Sequence, residues 1–286
     1  MDFRDHTIVV TGTASGMGTI IAERFMAQGA AVHGLDISSA PTALARNAAY
    51  THYHCDIGDT AAIAETIDTL PLQVHGLVNG AGVPNGGRFT PESVMAINWF
   101  GLQTLTEALL PRIPRLGAVV NIASTAGRDW AANHDALNSL MTLAPNQRET
   151  WLGANDSLVG DGYGFSKQAV QYYTMWRAVQ LLPSGIRMNA VNPGVTNTGI
   201  VDDFRLGLGD GLIDHAISVA GRMAEPQEMA PAVLFLTNHE WSSYLTGVNL
   251  NIDHGTNAAR LTGQDDPALI WESIGDDHGG KHRSGC

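Results

Sequence analysis

Thr7-Ile8-Val9-Val10-Thr11-Gly12-Thr13-Ala14-Ser15-Gly16-Met17-Gly18 joins three local signals in one stretch. The run from Thr7 to Thr11 is apolar or β-branched without alternation, as a strand buried on both faces is. A glycine-rich turn follows. Ile20, Ile21, Phe25 and Met26 then recur at helical spacing until Gly29. Strand, glycine turn and helix open a parallel α/β sheet. The glycines allow a tight turn and let the main chain approach a pyrophosphate at the helix N-terminus. Gly12, Ser15, Gly16, Met17 and Gly18 are therefore candidate dinucleotide contacts.

Working outward, a strand over 31–35 ends in Asp36, where an acid binds the adenosine ribose hydroxyls and repels a 2′-phosphate. No Arg or Lys stands in 13–15 or directly after Asp36, so NAD is favoured over NADP. A helix over 41–47 and a strand over 51–55 lead to Asp56-Ile57, with Asp56 placed to meet the adenine amino group. His52 and His54 share one face of that strand and Cys55 takes the other, so no metal site is expected. After a helix over 60–70, a strand over 74–78 delivers Asn79-Gly80-Ala81-Gly82, small residues against which a flat ring can lie. A long helix over 91–110 contains Asn98, a polar amide that needs a partner if buried. A strand over 118–123 ends in Ser124, at the sheet edge where open α/β sheets bind ligands.

Tyr163-Gly164-Phe165-Ser166-Lys167 is the second decisive stretch. On a helix its phenol and ammonium share a face. A nearby cation lowers the phenol pKa, so the pair is a device for moving a proton to or from an alcohol or ketone oxygen. The chain has six tyrosines and only two lysines, Lys167 and Lys281, so a chance match at this spacing is rare. Before it, residues 127–162 form a long insertion, expected to be helical near 136–143. A strand over 185–191 opens into Asn192-Pro193-Gly194-Val195-Thr196-Asn197-Thr198. Residues 195–220 mix apolar side chains with glycines and read as a lid. A further helix over 227–236 and a last strand over 248–252 complete a domain over 1–255. Residues 256–286 are expected to be a loosely held tail, with Leu269, Ile270, Trp271 and Ile274 its packing residues.

The formal net charge of −12, with 16 basic residues, argues against nucleic-acid or anionic-membrane partners. Cys55 and Cys286 show no metal-type spacing, and a reducing cytoplasm fits. No apolar run reaches the length of a membrane span.

Thr11-Gly12-x-x-x-Gly16-x-Gly18, Asp36, Asp56, Asn79-Gly80-Ala81-Gly82, Asn98, Ser124, Tyr163-x-x-x-Lys167 and Pro193-Gly194 stand in the order of the short-chain dehydrogenase/reductase family, which the chain resembles over about residues 6–255. The gap of 39 residues from Ser124 to Tyr163 is similar to the bacterial 3α-hydroxysteroid dehydrogenase/carbonyl reductase branch. The resemblance implies one Rossmann-type, doubly wound sheet of about seven parallel strands with helices on both faces. It implies a catalytic tetrad of Asn98, Ser124, Tyr163 and Lys167. Asn98 would hold a water that relays the proton from Lys167. NAD would contact Ile37, Ile57, Tyr163 and Lys167 as well as the residues above. Pro193, Gly194 and Val195 would flank its nicotinamide, with Thr196 and Thr198 nearby. The expected substrate is a hydrophobic small-molecule alcohol or ketone, cyclic or aromatic, of steroid or terpenoid type. Its walls would be Trp130, Leu140, Met141, Trp151, Phe204, Leu208 and Leu212, unless these build a subunit interface. A homodimer or homotetramer is expected. An NAD-retaining epimerase or dehydratase, and a non-catalytic dinucleotide-binding protein, are the other readings.

Overall fold

The structure is a computed structural model that describes residues 1–86, 88–199, 201–208 and 210–267; the side chains of 202 and 206–208 also fall outside it. The tail residues Leu269, Ile270, Trp271 and Ile274 and the expected wall side chain of Leu208 therefore lie outside the described residues. In chain order come β1 (Thr7–Thr11), α1 (Gly16–Ala27), β2 (Ala31–Asp36), α2 (Thr42–Ala45), β3 (Tyr50–His54), α3 (Thr60–Thr69), β4 (Gly76–Asn79) and α4 (Pro91–Met95). A π-helical turn (Ala96–Gly101) joins α4 to α5 (Leu102–Leu109), followed by β5 (Ala118–Ile122). The second half holds α6 (His134–Met141), α7 (Arg148–Ala154), α8 (Asp156–Val159), α9 (Tyr163–Leu181), β6 (Arg187–Pro193), α10 (Val201–Leu208), α11 (Asp210–Ala220), α12 (Ala230–Thr237), α13 (His239–Ser242), β7 (Asn249–Ile252) and α14 (Thr256–Thr262).

The strands form one parallel sheet in the order β3-β2-β1-β4-β5-β6-β7. The order reverses between β1 and β4, which opens a crevice at the carboxyl ends of those strands. β5 and β6 are buried along their whole length, and β1 along nearly all of it, because helices cover both faces. One core joins the sheet to α3, α5 and α9 through Leu77, Val119, Leu105 and Val170. The other joins it to α1 and α12 through Val10, Ile21, Phe25 and Val233.

Three expectations change. The helix over 91–110 is not continuous: the π turn interrupts it at Asn98. The insertion carries three helices where one was expected, and its bulky residues do not face a substrate. Leu140 and Met141 are buried in the core under α9. The Trp151 ring stacks on Phe165 with centroids 5.9 Å apart, and Trp130 packs on Tyr172. These side chains pack within the chain, largely against α9, and none of them lines the cavity at the sheet's carboxyl edge. The start of the tail is also ordered: α14 follows β7, and Arg260 pairs with Asp129.

Candidate active site

Two elements bring the reacting groups together. β5 ends at Ile122, and the hydroxyl of Ser124 accepts from the Ala126 N–H to start a 3₁₀ turn (Thr125–Gly127). α9 begins at Tyr163 because Gly162 has φ 83°, a left-handed conformation, and a Cβ there would meet the Pro91 carbonyl. Asp161 accepts from the Tyr163 N–H at 3.0 Å. One turn on, the buried Lys167 donates from Nζ to the Ile122 carbonyl at 3.1 Å, and Gln171 Nε2 donates to the Ser124 carbonyl at 2.6 Å. Successive turns of α9 thus grip the strand end that carries Ser124. Gln171 and Asp161 were not singled out from sequence. The signal for Gln171 was its place four residues after Lys167, on the same helical face.

Lys167 Nζ lies 5.7 Å from the centre of the Tyr163 ring, and the Phe204 ring meets that phenol edge-on at 4.7 Å. Burial pushes the Tyr163 phenol up to about 12; the Ser124 hydroxyl, hydrogen-bonded to it, pulls it down, and the Asp161 carboxylate pushes it up. Burial brings the Lys167 ammonium down to about 8. The phenol therefore stands above its ordinary value here and the ammonium below its own, because burial disfavours the charged form of each.

Asn98 sits in the π turn and is fully engaged. Its Oδ1 accepts from the Val83 N–H at 2.8 Å, and its Nδ2 donates to the Val83 carbonyl at 2.9 Å and to Ser166 Oγ at 3.3 Å. Its amide therefore holds the loop after β4 beside Lys167. A Cβ on Gly82 would touch Asn98 Oδ1 at 3.2 Å and stand 3.5 Å from Lys167 Nζ, so this small residue separates the two.

The residues expected to meet the dinucleotide lie at the carboxyl ends of β1, β2, β3, β4 and β6 and at the start of α1 and α9. Gly12 (φ 79°) lies against Ala81, and a Cβ there would meet its backbone at 2.9 Å; a Cβ on Gly18 would strike the Gly12 carbonyl. Gly16 also has a positive φ, and the exposed Ser15 precedes α1 without a side-chain capping bond. Asp36 ends β2 and accepts from the Ala14 N–H at 2.9 Å and the Ser38 N–H at 2.8 Å, with Ile37 exposed beside it. Asp56 accepts from the Gly58 N–H at 2.8 Å. Thr11 Oγ1, missed as a site residue, accepts from the N–H groups of Gly80 and Ala81. The side chains of Asn79 and Ile57 turn into the core. Asn79 donates to Thr106 and Asn121 in the core, and Ile57 is buried under the sheet, so each offers the crevice main chain alone.

A cavity of about 380 Å³ joins these parts. Ser124, Tyr163 and Lys167 reach it from one side. Met17, Gly80, Gly82, Pro193, Gly194 and Val195 border it on the crevice side, with Thr196 and Thr198 beyond. Thr196 donates to the Gly194 carbonyl at 3.0 Å, which leaves its oxygen free to accept. Phe204, Leu212, Ile213 and Val219 supply an apolar wall. Among the described residues no cluster of His, Cys, Asp or Glu could hold a metal ion, and no helix is long and apolar enough to cross a membrane. The glycine cradle, which side chains would fill, and the Asp36 carboxylate beside it fit a nicotinamide dinucleotide.

Two family descriptions match: short chain dehydrogenase over residues 6–136, and enoyl-(acyl carrier protein) reductase over 154–257. The stretch between them lies inside the insertion. The chain is 31% identical to coniferyl-alcohol dehydrogenase of Pseudomonas sp. (strain HR199 / DSM 7063), over 89% of this chain and 98% of that one. It is 29% identical to 4-formylbenzenesulfonate dehydrogenase of Comamonas testosteroni, over 90% and 100%. A solved 3-alpha-hydroxysteroid dehydrogenase from Pseudomonas sp. B-0831, complexed with NADH, superposes with a TM-score of 0.75 at 25% identity, over 90% of this chain and 98% of that one.

Proposed function

Since the chain belongs to the short-chain dehydrogenase/reductase family and is an oxidoreductase of alcohol dehydrogenase type, we propose that it interconverts a hydrophobic, ring-bearing alcohol and its carbonyl product with NAD. The observation that carries this reading is the convergence of Ser124, Tyr163 and Lys167 on one cavity bordered by the glycine cradle. The dinucleotide, when bound, supplies the hydride acceptor or donor. Tyr163 moves the proton at the substrate oxygen, and Ser124 holds that oxygen in reach by a hydrogen bond. With its phenol at about 12, Tyr163 stands protonated at neutral pH and is ready to protonate a carbonyl. Lys167, at about 8, is the group poised to return or accept that proton as conditions change. Phe204 and the apolar wall exclude water from the transfer.

Asp36 at the end of β2 supports NAD, because a carboxylate at that strand end repels a 2′-phosphate. A cavity of about 380 Å³ lies toward the small end of ligand pockets, roughly 300–1,000 Å³, and the nicotinamide takes part of it. That favours a compact ring alcohol, aromatic or alicyclic, over a fused four-ring body. The coniferyl-alcohol and 4-formylbenzenesulfonate relatives, named for single-ring substrates, point the same way. The same reading includes a homodimer or homotetramer; Asn133 and Trp151 of the insertion cover part of α9, so contacts through that face are disfavoured. A panel of aromatic and alicyclic alcohols, scored for reduced coenzyme with NAD and with NADP, tests the proposal. Net NADH formation separates it from an epimerase or dehydratase, and any turnover separates it from a passive binder. Silence across the panel, or preference for NADP, contradicts it.

A further inference from the structure

Two arginines on the cavity wall have no task in the chemistry above. Arg128 follows Ser124 by the single 3₁₀ turn, and Arg260 comes from α14, in the stretch after β7. Arg128 Nη1 donates to the Thr125 carbonyl at 3.0 Å, and its Nε stands 3.9 Å from Asp129. Arg260 Nη2 reaches both oxygens of the same carboxylate, at 3.1 and 3.3 Å. One carboxylate serves two guanidinium groups, so the trio carries a net positive charge.

Asp161, Lys167, His215 and Asp265 also line the cavity, Asp265 five residues beyond Arg260. Asp161 accepts from Asn85 and from the Tyr163 N–H, on the α9 side, and Lys167 is on the floor. His215 and Asp265 stand 4.0 Å apart and pair with each other. The remaining wall, from Phe204 to Val219, is apolar. The chain has only 16 Lys and Arg residues and a net charge of −12, so its long-range field repels anions. A pair of guanidinium groups beside an apolar wall must then act by close contact, and the guanidinium fork suits carboxylate and sulfonate oxygens.

We propose that Arg128 and Arg260 form the specificity end of the pocket, and that the preferred alcohol carries an oxyanion, a carboxylate or sulfonate, on the side of its ring remote from the reacting carbon. The proposal rests on the alcohol dehydrogenase reading of the same site and deepens it. It also gives α14 a role: it brings the second cation to the rim.

The test compares 4-(1-hydroxyethyl)benzoate with its neutral partner 1-(4-methylphenyl)ethanol. Binding of each to the protein in the presence of NADH is measured by calorimetry, in the wild type, Arg128→Met and Arg260→Met. The acid is expected to bind at least about tenfold more tightly than the neutral alcohol in the wild type, as a charge-assisted pair allows. Each variant should bring the two affinities to within about twofold of each other. Equal affinities in the wild type, no binding of either alcohol, or a variant that weakens both alike, as loss of a purely structural latch would, overturns the proposal. Turnover with NAD is scored separately. Oxidation of both alcohols with no binding preference leaves the dehydrogenase reading standing and removes the anion site. Preferential binding of the acid without turnover does the reverse.

Discussion

The two sides of the sheet's carboxyl edge are held by different means. On the β1–β4 side the shape is made by main chain meeting main chain: Gly12 against Ala81, Gly18 against the Gly12 carbonyl, and the N–H groups of Gly80 and Ala81 on Thr11. On the β5–α9 side it is made by long polar side chains that cross between elements: Lys167 to Ile122, Gln171 to Ser124, Asn98 to Val83, Arg260 to Asp129. The first side tolerates no added carbon. The second is tied together by polar groups that cross between elements. Binding the coenzyme is thus tied to steric room, and proton transfer to a few buried charges, so single substitutions should separate the two.

The largest effect is expected from Lys167→Met, which removes the buried ammonium beside the phenol. Turnover should fall by about 10²–10³-fold, within the range of a lost acid–base partner, as read from kcat. The same variant should be more stable at pH 7, by about 1–3 kcal/mol in urea unfolding, because an unpaired buried charge is gone. The sign follows from the depressed pKa. Between about 8 and the ordinary 10.5 the unfolded chain holds the Lys167 proton and the folded chain does not. Wild-type stability therefore gains from this group as pH rises, and the gap to Lys167→Met should close by about pH 10. A gap that widens with pH contradicts the buried, unpaired cation.

Next in size, Gly18→Ala should cost more than about 2 kcal/mol, since its Cβ meets a carbonyl that cannot move without the turn. Coenzyme affinity should fall with stability, by fluorescence titration and denaturant midpoint. Normal affinity would break the steric account of the β1–β4 side. Asp36→Ser should then shift the kcat/KM ratio of NAD to NADP by about tenfold toward NADP, by removal of one repelling charge.

The smallest catalytic effect belongs to Trp151→Ala. Its ring packs on Phe165 in the subunit, so the variant should lose about 2 kcal/mol of stability. The relative kcat/KM values of different alcohols should stay within about threefold of the wild type. A changed order of substrates would return the insertion to the pocket wall.

These contrasts also explain what could be read in the chain. The β1–β4 side was legible because each glycine acts at its own backbone: Thr7 to Gly18 spells out strand, turn and helix within a few residues, and Asp36 marks the next strand end. Tyr163 and Lys167 were legible because one helical turn fixes their relation. Ser124 needed only a strand end. The insertion misled because Trp130, Leu140, Met141 and Trp151 are as apolar as a substrate wall, and composition does not say which surface they cover. α5 and α9 take that cover. The commitment of Asn98 to Val83 depends on the π turn, which hydrophobic spacing alone does not signal. The Arg128–Asp129–Arg260 rim joins residues at opposite ends of the second half of the chain, so no local pattern carries it. The high phenol pKa was missed for a related reason: charge partners are visible at i+4, whereas burial is set by the whole fold.

The most direct test of the central claim is Tyr163→Phe, assayed for alcohol oxidation and for NADH affinity on the same preparation. With the proton carrier removed and the cradle untouched, turnover should drop at least about 10³-fold while the NADH dissociation constant stays within about twofold. Turnover within tenfold of the wild type, or a loss confined to NADH binding, would show that the phenol does not carry the proton.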